Sequence, residues 1–206
     1  MKEILSHPPA DIADMPIIIY GGSFNPPTMA HVASIESLLE QYPDHQIWVM
    51  PSGERIDKPE LGNDEQRMAM LGLTALERGW TRVHLTDVEF QLPRPSNTAQ
   101  TVTFLQSKGV SEFRLATGVD SINSVLQWEQ GAWLLDTLDW LIISRQGYEL
   151  EVYPPTYEKV EIPLQHGLSS TIVRERIAQG ESISGFVPET VEQFIAAHNL
   201  YKETKQ

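Results

Sequence analysis

Five short runs of apolar and β-branched residues recur along the chain, and each has the length of a buried β-strand. They occupy residues 16–20, 47–50, 83–85, 113–116 and 140–143. The first run ends at Gly21-Gly22, and the third run is the weakest. Short, nearly uninterrupted apolar runs are typical of strands that are covered on both faces.

Helical patterns separate these runs. After the first glycine pair, apolar residues recur at the spacing of a helix face, with Thr28 available as a cap. Further helices are predicted over about residues 64–76 and 98–108, and helical turns over about 121–135. The alternation of strands and helices predicts βαβ units. The predicted fold class is therefore α/β, a Rossmann-like parallel sheet of about five strands with helices on both faces.

The C-terminal part of the chain has a different pattern. Two capped helices are predicted over residues 170–179 and 188–198, with no strong strand between them, and they form a small helical tail. We predict one domain over residues 16–206, preceded by an N-terminal extension of residues 1–15. In an open parallel sheet, ligands bind beyond the carboxyl ends of the strands, where the strand order reverses.

Composition narrows the class of protein and of partner. The 206 residues suit one domain, which would bury roughly 70% of the surface of the unfolded chain. No run approaches the ~18 apolar residues of a membrane-spanning helix. The formal net charge of −13 disfavours nucleic acids and anionic membranes as partners. The chain has no cysteine, which excludes disulfides and thiolate chemistry and is compatible with the cytoplasmic location that we expect.

The segment that joins the first predicted strand to the first predicted helix, residues 21–31, carries the most chemical information. Its glycines allow a tight turn, and the helix N-terminus offers free N–H groups that suit a phosphate. Thr28 and His31 share a face of the first helical turn, where they could stabilise phosphoryl oxygens together. Taken alone, this segment fits ordinary turn residues and a histidine without a ligand even better.

A second segment, residues 168–174, begins the penultimate predicted helix with three hydroxyls and places Arg174 one turn inside it. Free N–H groups, hydroxyls and a guanidinium at one helix start suit an oxyanion. Ordinary N-capping also explains these hydroxyls when the segment is considered alone.

Together, the two segments resemble the HxGH/TxGH nucleotidyltransferase superfamily, which pairs a Gly-x-Phe-x-Pro-x-(His/Thr)-x-Gly-His loop with a C-terminal Ser-Ser-Thr-x-x-Arg helix start. Further segments are similar to the bacterial nicotinate mononucleotide adenylyltransferases, and the resemblance covers about residues 16–201. These segments are Gln66-Arg67-Met68, residues 95–101, Gly118-Val119-Asp120-Ser121, Trp128, residues 144–148 and Asn199-Leu200-Tyr201.

The resemblance implies two groups of residues around ATP. The residues implied to contact or hold its phosphates, and hence to serve catalysis or triphosphate binding, are His31, Thr28, Arg174, Ser170 and Thr171. The residues implied to line the nucleotide cleft, with the last one near the ribose or the adenine, are Gly22, Ser23, Phe24 and Asp120.

On the acceptor side, the resemblance implies that Lys58 binds the phosphate of a mononucleotide. Thr98 and Trp128 would border the pyridine ring, with Trp128 stacked on it. Each residue has a plainer alternative: Lys58 as a solvated loop charge, Thr98 as a helix cap and Trp128 as a filler of the core. Asp120 could likewise cap the short helix that follows.

Several departures from the family pattern bear on activity. Ala30 replaces a glycine, and its methyl group is tolerable only if residue 30 is helical. Asn25 replaces a common aspartate. Asp57 adds negative charge beside Lys58, and Glu129 follows Trp128 where a nicotinate carboxylate is expected.

The resemblance implies an enzyme that transfers the adenylyl group of ATP to nicotinate or nicotinamide mononucleotide in NAD biosynthesis and releases pyrophosphate. ATP would be a substrate, and Mg²⁺ would be held mainly through phosphates, without a dedicated metal site. Two alternatives stay open: a related nucleotidyltransferase acting on phosphopantetheine or a cytidylyl acceptor, and a nucleotide-binding protein impaired in catalysis. The sequence leaves the oligomeric state open, a homo-oligomer included.

Overall fold

The computed structural model describes residues 14–53, 63–144, 147–163 and 167–202. In these ranges one parallel sheet contains β1 (Ile17–Gly22), β2 (Gln46–Pro51), β3 (Val83–Leu85), β4 (Phe113–Gly118), β5 (Asp139–Ile143) and β6 (Tyr157–Val160). The strand order is β3-β2-β1-β4-β5-β6, and each neighbouring pair is parallel. This is a doubly wound order, so the Rossmann-like α/β prediction is confirmed.

The helices of the described ranges lie between and after the strands. They are α1 (Met29–Gln41), α2 (Asp64–Arg78), α3 (Val88–Gln91), α4 (Thr98–Ser107), α5 (Val119–Ile122), α6 (Gly131–Thr137), α7 (Ser170–Ala178) and α8 (Glu189–His198), with a 3-10 turn at Val125–Gln127. None of them is both long and apolar enough to cross a membrane. The longer predicted helices are present with small shifts of their ends, whereas α3 was not predicted.

Both faces of the sheet are covered, which explains the uninterrupted apolar runs. On one face Ile18 belongs to a core cluster with Val32 and Leu38 of α1. On the other face the neighbouring Ile19 lies in a cluster with Leu105 of α4. Successive side chains of a strand point to opposite faces, so a strand between two helical layers needs apolar residues at nearly every position.

The strand β6 corrects the prediction of about five strands. Its two central residues, Glu158 and Lys159, are exposed, and the strand lies at the edge of the sheet, so it has no apolar run. Glu158 instead makes an ion pair with Arg114 at 2.9 Å and accepts a hydrogen bond from the Tyr42 hydroxyl at 2.9 Å. The bond from Arg114 holds the pKa of the Glu158 carboxyl below its usual value.

The C-terminal helices pack on the rest of the domain. Met70 of α2 lies in one buried cluster with Val173 of α7 and Ile195 of α8. At the surface, the Thr190 hydroxyl donates to Glu77 of α2 at 2.6 Å. The helical tail is therefore an integral part of the domain, and its position is set by α2.

Gly131 provides a test of the packing around the 3-10 turn. A Cβ at this position would overlap the carbonyl oxygen of Val125, because α6 begins directly against the turn. We expect Gly131→Ala to destabilise the protein by about 1–3 kcal/mol, as overpacking commonly does. The matched control is Gly72→Ala in α2, where the added methyl group meets no atom within 4 Å.

The control substitution should stabilise the protein by about 0.5–1 kcal/mol, because alanine restricts the unfolded chain and favours a helix. Urea midpoints of both variants measure the difference. Equal midpoints for the two variants would contradict the packing that we describe.

Candidate active site

The candidate site lies at the carboxyl ends of the central strands. Gly22 at the end of β1 is in register with Pro51 of β2, and β1 also pairs with β4 on its other side. The strand order reverses between β1 and β4, so the loops that follow these two strands diverge and leave a crevice. The chain between β1 and α1 borders this crevice.

Side chains from distant helices bind three carbonyl groups of this loop. Arg67 of α2 donates to the Ser23 carbonyl at 2.9 Å, and Arg174 of α7 donates to the Asn25 carbonyl at 2.8 Å. The Ser170 hydroxyl donates to the carbonyl of Pro26, also at 2.8 Å. The two segments singled out in the sequence, residues 21–31 and 168–174, are therefore in direct contact.

His31 has a defined tautomer. The backbone N–H of Thr28 donates to His31 Nδ1 at 2.9 Å, and the Thr28 hydroxyl oxygen also lies 2.9 Å from this nitrogen. Because Nδ1 accepts a hydrogen bond from a backbone N–H, a neutral imidazole carries its proton on Nε2. The Phe24 ring packs against the imidazole with the centroids 4.9 Å apart. His31 is partly exposed and can therefore donate through Nε2 to a ligand.

Thr28 is fully buried, and this changes how it can act. Its exposed fraction is 0%, and its hydroxyl and N–H both contact Nδ1 of His31. It is also the N-cap residue of α1. Within this geometry Thr28 orients the imidazole.

The start of α7 divides its three hydroxyls among different partners. Ser169 is the N-cap and accepts from the Ile172 N–H at 3.2 Å, so capping alone does not account for the other two hydroxyls. Thr171 is exposed, and its hydroxyl oxygen lies 3.4 Å from a guanidinium nitrogen of Arg174.

Unlike most of the described arginines, Arg174 has no carboxylate among its hydrogen-bond partners in the described residues. Its hydrogen-bond acceptors, the Asn25 carbonyl and the Thr171 hydroxyl, are neutral. By contrast, Arg78 and Arg176 form ion pairs with Glu36 and Glu181. No carboxylate offsets the charge of a guanidinium whose acceptors are neutral, so this charge can attract an anionic ligand.

The β1–α1 loop accommodates Gly22 and two of the departures from the family pattern, Ala30 and Asn25. A Cβ at Gly22 would lie 3.0 Å from the buried Phe24 ring, which leaves little room for a side chain. Ala30 lies in the first turn of α1, where its methyl group is compatible with the backbone. The side-chain oxygen of Asn25 accepts from the Tyr201 hydroxyl at 2.8 Å, as an aspartate could.

Asp120 lies in the first turn of α5, directly after β4. Its Oδ1 lies 2.6 Å from the place where a Cβ would stand on Gly118, so only glycine leaves room for this position of the carboxylate. The N-cap of α5 is Gly118, which makes the capping alternative for Asp120 wrong.

The acceptor-side residues that can be located lie on one face of the sheet. Thr98 is the first residue of α4, and the helix cap is Asn97, so the capping alternative for Thr98 is wrong. Trp128 is partly buried, packs against the cluster that contains Ala99 and donates from its indole N–H to Ser124 at 3.1 Å. Lys58 lies outside the described residues, as does Asp57.

Three residues of this region have roles that the sequence analysis did not assign. Arg67 is fully buried and forms an ion pair with Asp64 at 2.6 Å. The sequence contained a signal for this burial, because an arginine stands beside the apolar face of an amphipathic helix. The hydroxyl of Tyr201, which follows α8, donates to Asn25 in the β1–α1 loop. Glu89 of α3 accepts from the Gly53 N–H at 3.0 Å. No local pattern indicated the last two contacts, because they join residues that are far apart in sequence.

In the described ranges, no group of three or more His, Cys, Asp or Glu residues could hold a metal ion. That Mg²⁺ is held mainly through phosphates stays a prediction.

Tyr201 makes the attachment of the loop sensitive to alkaline pH. Burial raises the pKa of Tyr201 to about 12, although Arg174 and Arg67 favour the ionised form. In the unfolded chain a tyrosine ionises near pH 10. The unfolded state therefore loses its proton first, and the contribution of Tyr201 to stability is present below about pH 10 and falls as the pH rises toward 12.

We expect Tyr201→Phe to decline less steeply in stability than the wild type above about pH 10. Urea unfolding across this pH range measures the slope, with Tyr153→Phe as a control because Tyr153 is 62% exposed. Burial also raises the pKa of Tyr42, so some decline persists in the Tyr201 variant. An unchanged slope would contradict the assignment.

Comparison with known proteins identifies the family. A model of the cytidylyltransferase-like family matches residues 19–176. A chain from Chlorobium luteolum, named probable nicotinate-nucleotide adenylyltransferase, is 32% identical over 194 residues and covers 92% of this chain and 100% of its own length. A chain of the same name from Geobacillus thermodenitrificans is 30% identical over 186 residues, with coverages of 89% and 84%.

A solved structure supports the fold. The Plasmodium falciparum nicotinic acid mononucleotide adenylyltransferase complexed with NaAD superposes with a TM-score of 0.77 at 24% identity and covers 91% of this chain and 97% of that chain. The resemblance inferred from the two sequence segments is thus confirmed. The chain is an enzyme of the cytidylyltransferase-like family, in the group of the nicotinate-nucleotide adenylyltransferases.

Proposed function

We propose that the protein transfers the adenylyl group of ATP to the phosphate of a pyridine mononucleotide, with nicotinate mononucleotide as the preferred acceptor, in NAD biosynthesis. The observation that carries this proposal is the contact of the α1 and α7 N-terminal segments through one loop at the crevice. The names of the relatives support the acceptor. Glu129, whose charge could repel the nicotinate carboxylate, is exposed, so water screens it.

The ATP half of the site uses the groups around the β1–α1 loop. The Nε2–H of His31 donates to a phosphate oxygen, and Thr28 keeps the imidazole in that tautomer. Arg174 neutralises phosphate charge, with Ser170 and Thr171 beside it. The groups that shape the nucleotide cleft are Gly22, Ser23, Phe24 and, on the ribose or adenine side, Asp120.

The acceptor half lies toward α4. Trp128 stacks on the pyridine ring and orients it, since such stacking contributes only about 0.5–1.5 kcal/mol. Thr98 borders the ring, and Lys58 binds the mononucleotide phosphate. These three assignments rest on the resemblance to the nicotinate mononucleotide adenylyltransferases.

The chemistry needs little covalent help from the protein. An oxygen of the mononucleotide phosphate attacks the α-phosphorus of ATP in line, a new P–O bond forms, and the bond to the bridging oxygen breaks as pyrophosphate leaves. Positioning and charge neutralisation supply most of the acceleration in such reactions. Magnesium, bound through phosphates and water, would neutralise further charge when present.

The partners that we propose are small molecules, ATP and the mononucleotide. A net charge of −13 disfavours nucleic acid as a partner. A cytoplasmic location stays a prediction.

Removal of the imidazole tests the ATP half of the site. We expect His31→Ala to lower turnover by roughly two orders of magnitude or more, as loss of one preorganised donor to a transition-state oxygen commonly does. His198→Ala, which removes an exposed histidine at the end of α8, is the control and should keep wild-type turnover. Pyrophosphate release measures turnover, and circular dichroism verifies the fold of both variants. Undiminished turnover in His31→Ala would overturn the role of this residue.

A substrate panel tests the reaction itself. The wild-type protein is assayed with Mg²⁺ and each combination of ATP or CTP with nicotinate mononucleotide, nicotinamide mononucleotide or phosphopantetheine. We expect pyrophosphate release with ATP and a pyridine mononucleotide, with the higher kcat/KM for the nicotinate form. Release only with CTP or only with phosphopantetheine would favour a related transferase. ATP binding in calorimetry without release for any acceptor would favour a protein that has lost catalysis.

A further inference from the structure

The chain leaves the sheet directly after β2, at Ser52 and Gly53. The Ser52 N–H still donates to the Gly22 carbonyl at 2.8 Å and continues the pairing with β1. In the sequence, Gly53 precedes Lys58, the residue that the proposed function assigns to the acceptor phosphate. Gly53 is the last described residue of the chain before Lys58.

One carboxylate binds Gly53 and two further segments. Glu89 Oε2 accepts from the Gly53 N–H at 3.0 Å and lies 3.5 Å from the Ser96 hydroxyl oxygen. Its other oxygen, Oε1, accepts from the Thr101 hydroxyl of α4 at 3.1 Å. Ser96 and Thr101 are both 5% exposed, so these bonds are largely shielded from water.

Gly53 fits this arrangement only without a side chain. A Cβ there would lie 2.6 Å from Ser96 Oγ and 2.7 Å from the Glu89 carbonyl oxygen. The exit of β2, the segment before α4 and α3 are thus in tight contact at one point. Thr98, the residue proposed at the pyridine ring, follows Ser96 by two positions.

We propose that Glu89 is a positioning residue for the acceptor, and that its carboxylate holds the Thr98-bearing segment in place against Gly53 at the exit of β2. The inference rests on the proposed function. Hydrogen bonds to a carboxylate are stronger than bonds between neutral groups, so one side chain can hold three donors in place. The ATP half of the site depends instead on Arg67, Arg174 and Ser170, which Glu89 does not contact in the described hydrogen bonds.

The proposal predicts an effect on one substrate. We expect Glu89→Ala to raise the KM for the mononucleotide by roughly tenfold, as loss of a bond to a charged group does. The KM for ATP should stay within about twofold of the wild type, because the ATP half keeps its own contacts. A merely structural role would change both KM values together or lower only the stability.

The conservative variant should restore the acceptor KM. In Glu89→Gln the single carbonyl oxygen can keep Gly53 and Ser96, which share Oε2 in the wild type. The amide group then faces the Thr101 hydroxyl, which can accept from it while donating to the Asn97 carbonyl at 3.2 Å. We therefore expect a KM for the mononucleotide within about threefold of the wild type.

The experiment measures both KM values and kcat for the wild type, Glu89→Ala, Glu89→Gln and the control Glu40→Ala, an exposed glutamate of α1. Thermal unfolding verifies each fold. If Glu89→Ala does not fold, Thr101→Val replaces it, and we expect this loss of one donor to raise the mononucleotide KM roughly threefold without a change for ATP.

The failure of this inference differs from the failure of the proposed function. Equal changes in both KM values, or an unchanged mononucleotide KM in the folded alanine or valine variant, overturn the role of Glu89. No turnover of any pyridine mononucleotide by the wild type overturns the proposed function instead.

Discussion

The β1–α1 loop keeps its shape because side chains from two distant helices bind its backbone carbonyl groups. Arg67 binds the Ser23 carbonyl, Arg174 the Asn25 carbonyl and Ser170 the Pro26 carbonyl. A buried carbonyl without a partner is costly, and a loop that contains two consecutive prolines cannot satisfy itself through a regular ladder. The conformation of the loop that leads into α1 is therefore a property of the whole fold.

The protein and its proposed substrates are both negatively charged, and the groups around the same loop offset the resulting repulsion. A chain with a net charge of −13 repels polyphosphates at long range. At short range, however, the arginine at position 174 lies among neutral acceptors, and the helix N-termini of α1 and α7 meet at one place. Neutral donors add to this: the Nε2–H of His31 needs no positive charge to bind an oxygen. For the proposed substrates, local geometry therefore matters more than net charge, because short-range hydrogen bonds are screened far less than the overall field.

The two halves of the site depend on different parts of the fold. Contacts from α2, α7 and Tyr201 hold the loop of the proposed ATP half, whereas Glu89 of α3 connects the exit of β2 with α4 on the proposed acceptor half. A carboxylate near the proposed site of an anionic acceptor is unexpected on charge alone. Its bonds with a backbone N–H and two hydroxyls give it a defined structural use, and they connect the segment before Thr98 with Gly53 at the exit of β2.

The sequence by itself determined the parallel α/β class, five of the six strands, the long helices and the family. These follow from periodicity and from short motifs, which report the burial and turn preferences of neighbouring residues. Only the tertiary structure decided that Thr28 is buried against His31, that Asn97 rather than Thr98 caps α4, and that β6 joins the sheet through polar side chains. It also decided the contacts of Arg67, Tyr201 and Glu89. These contacts include Arg67 to Ser23, Tyr201 to Asn25 and Glu89 to Gly53, which join residues 44, 176 and 36 positions apart. No local preference of a residue specifies a partner that only the folded chain brings near.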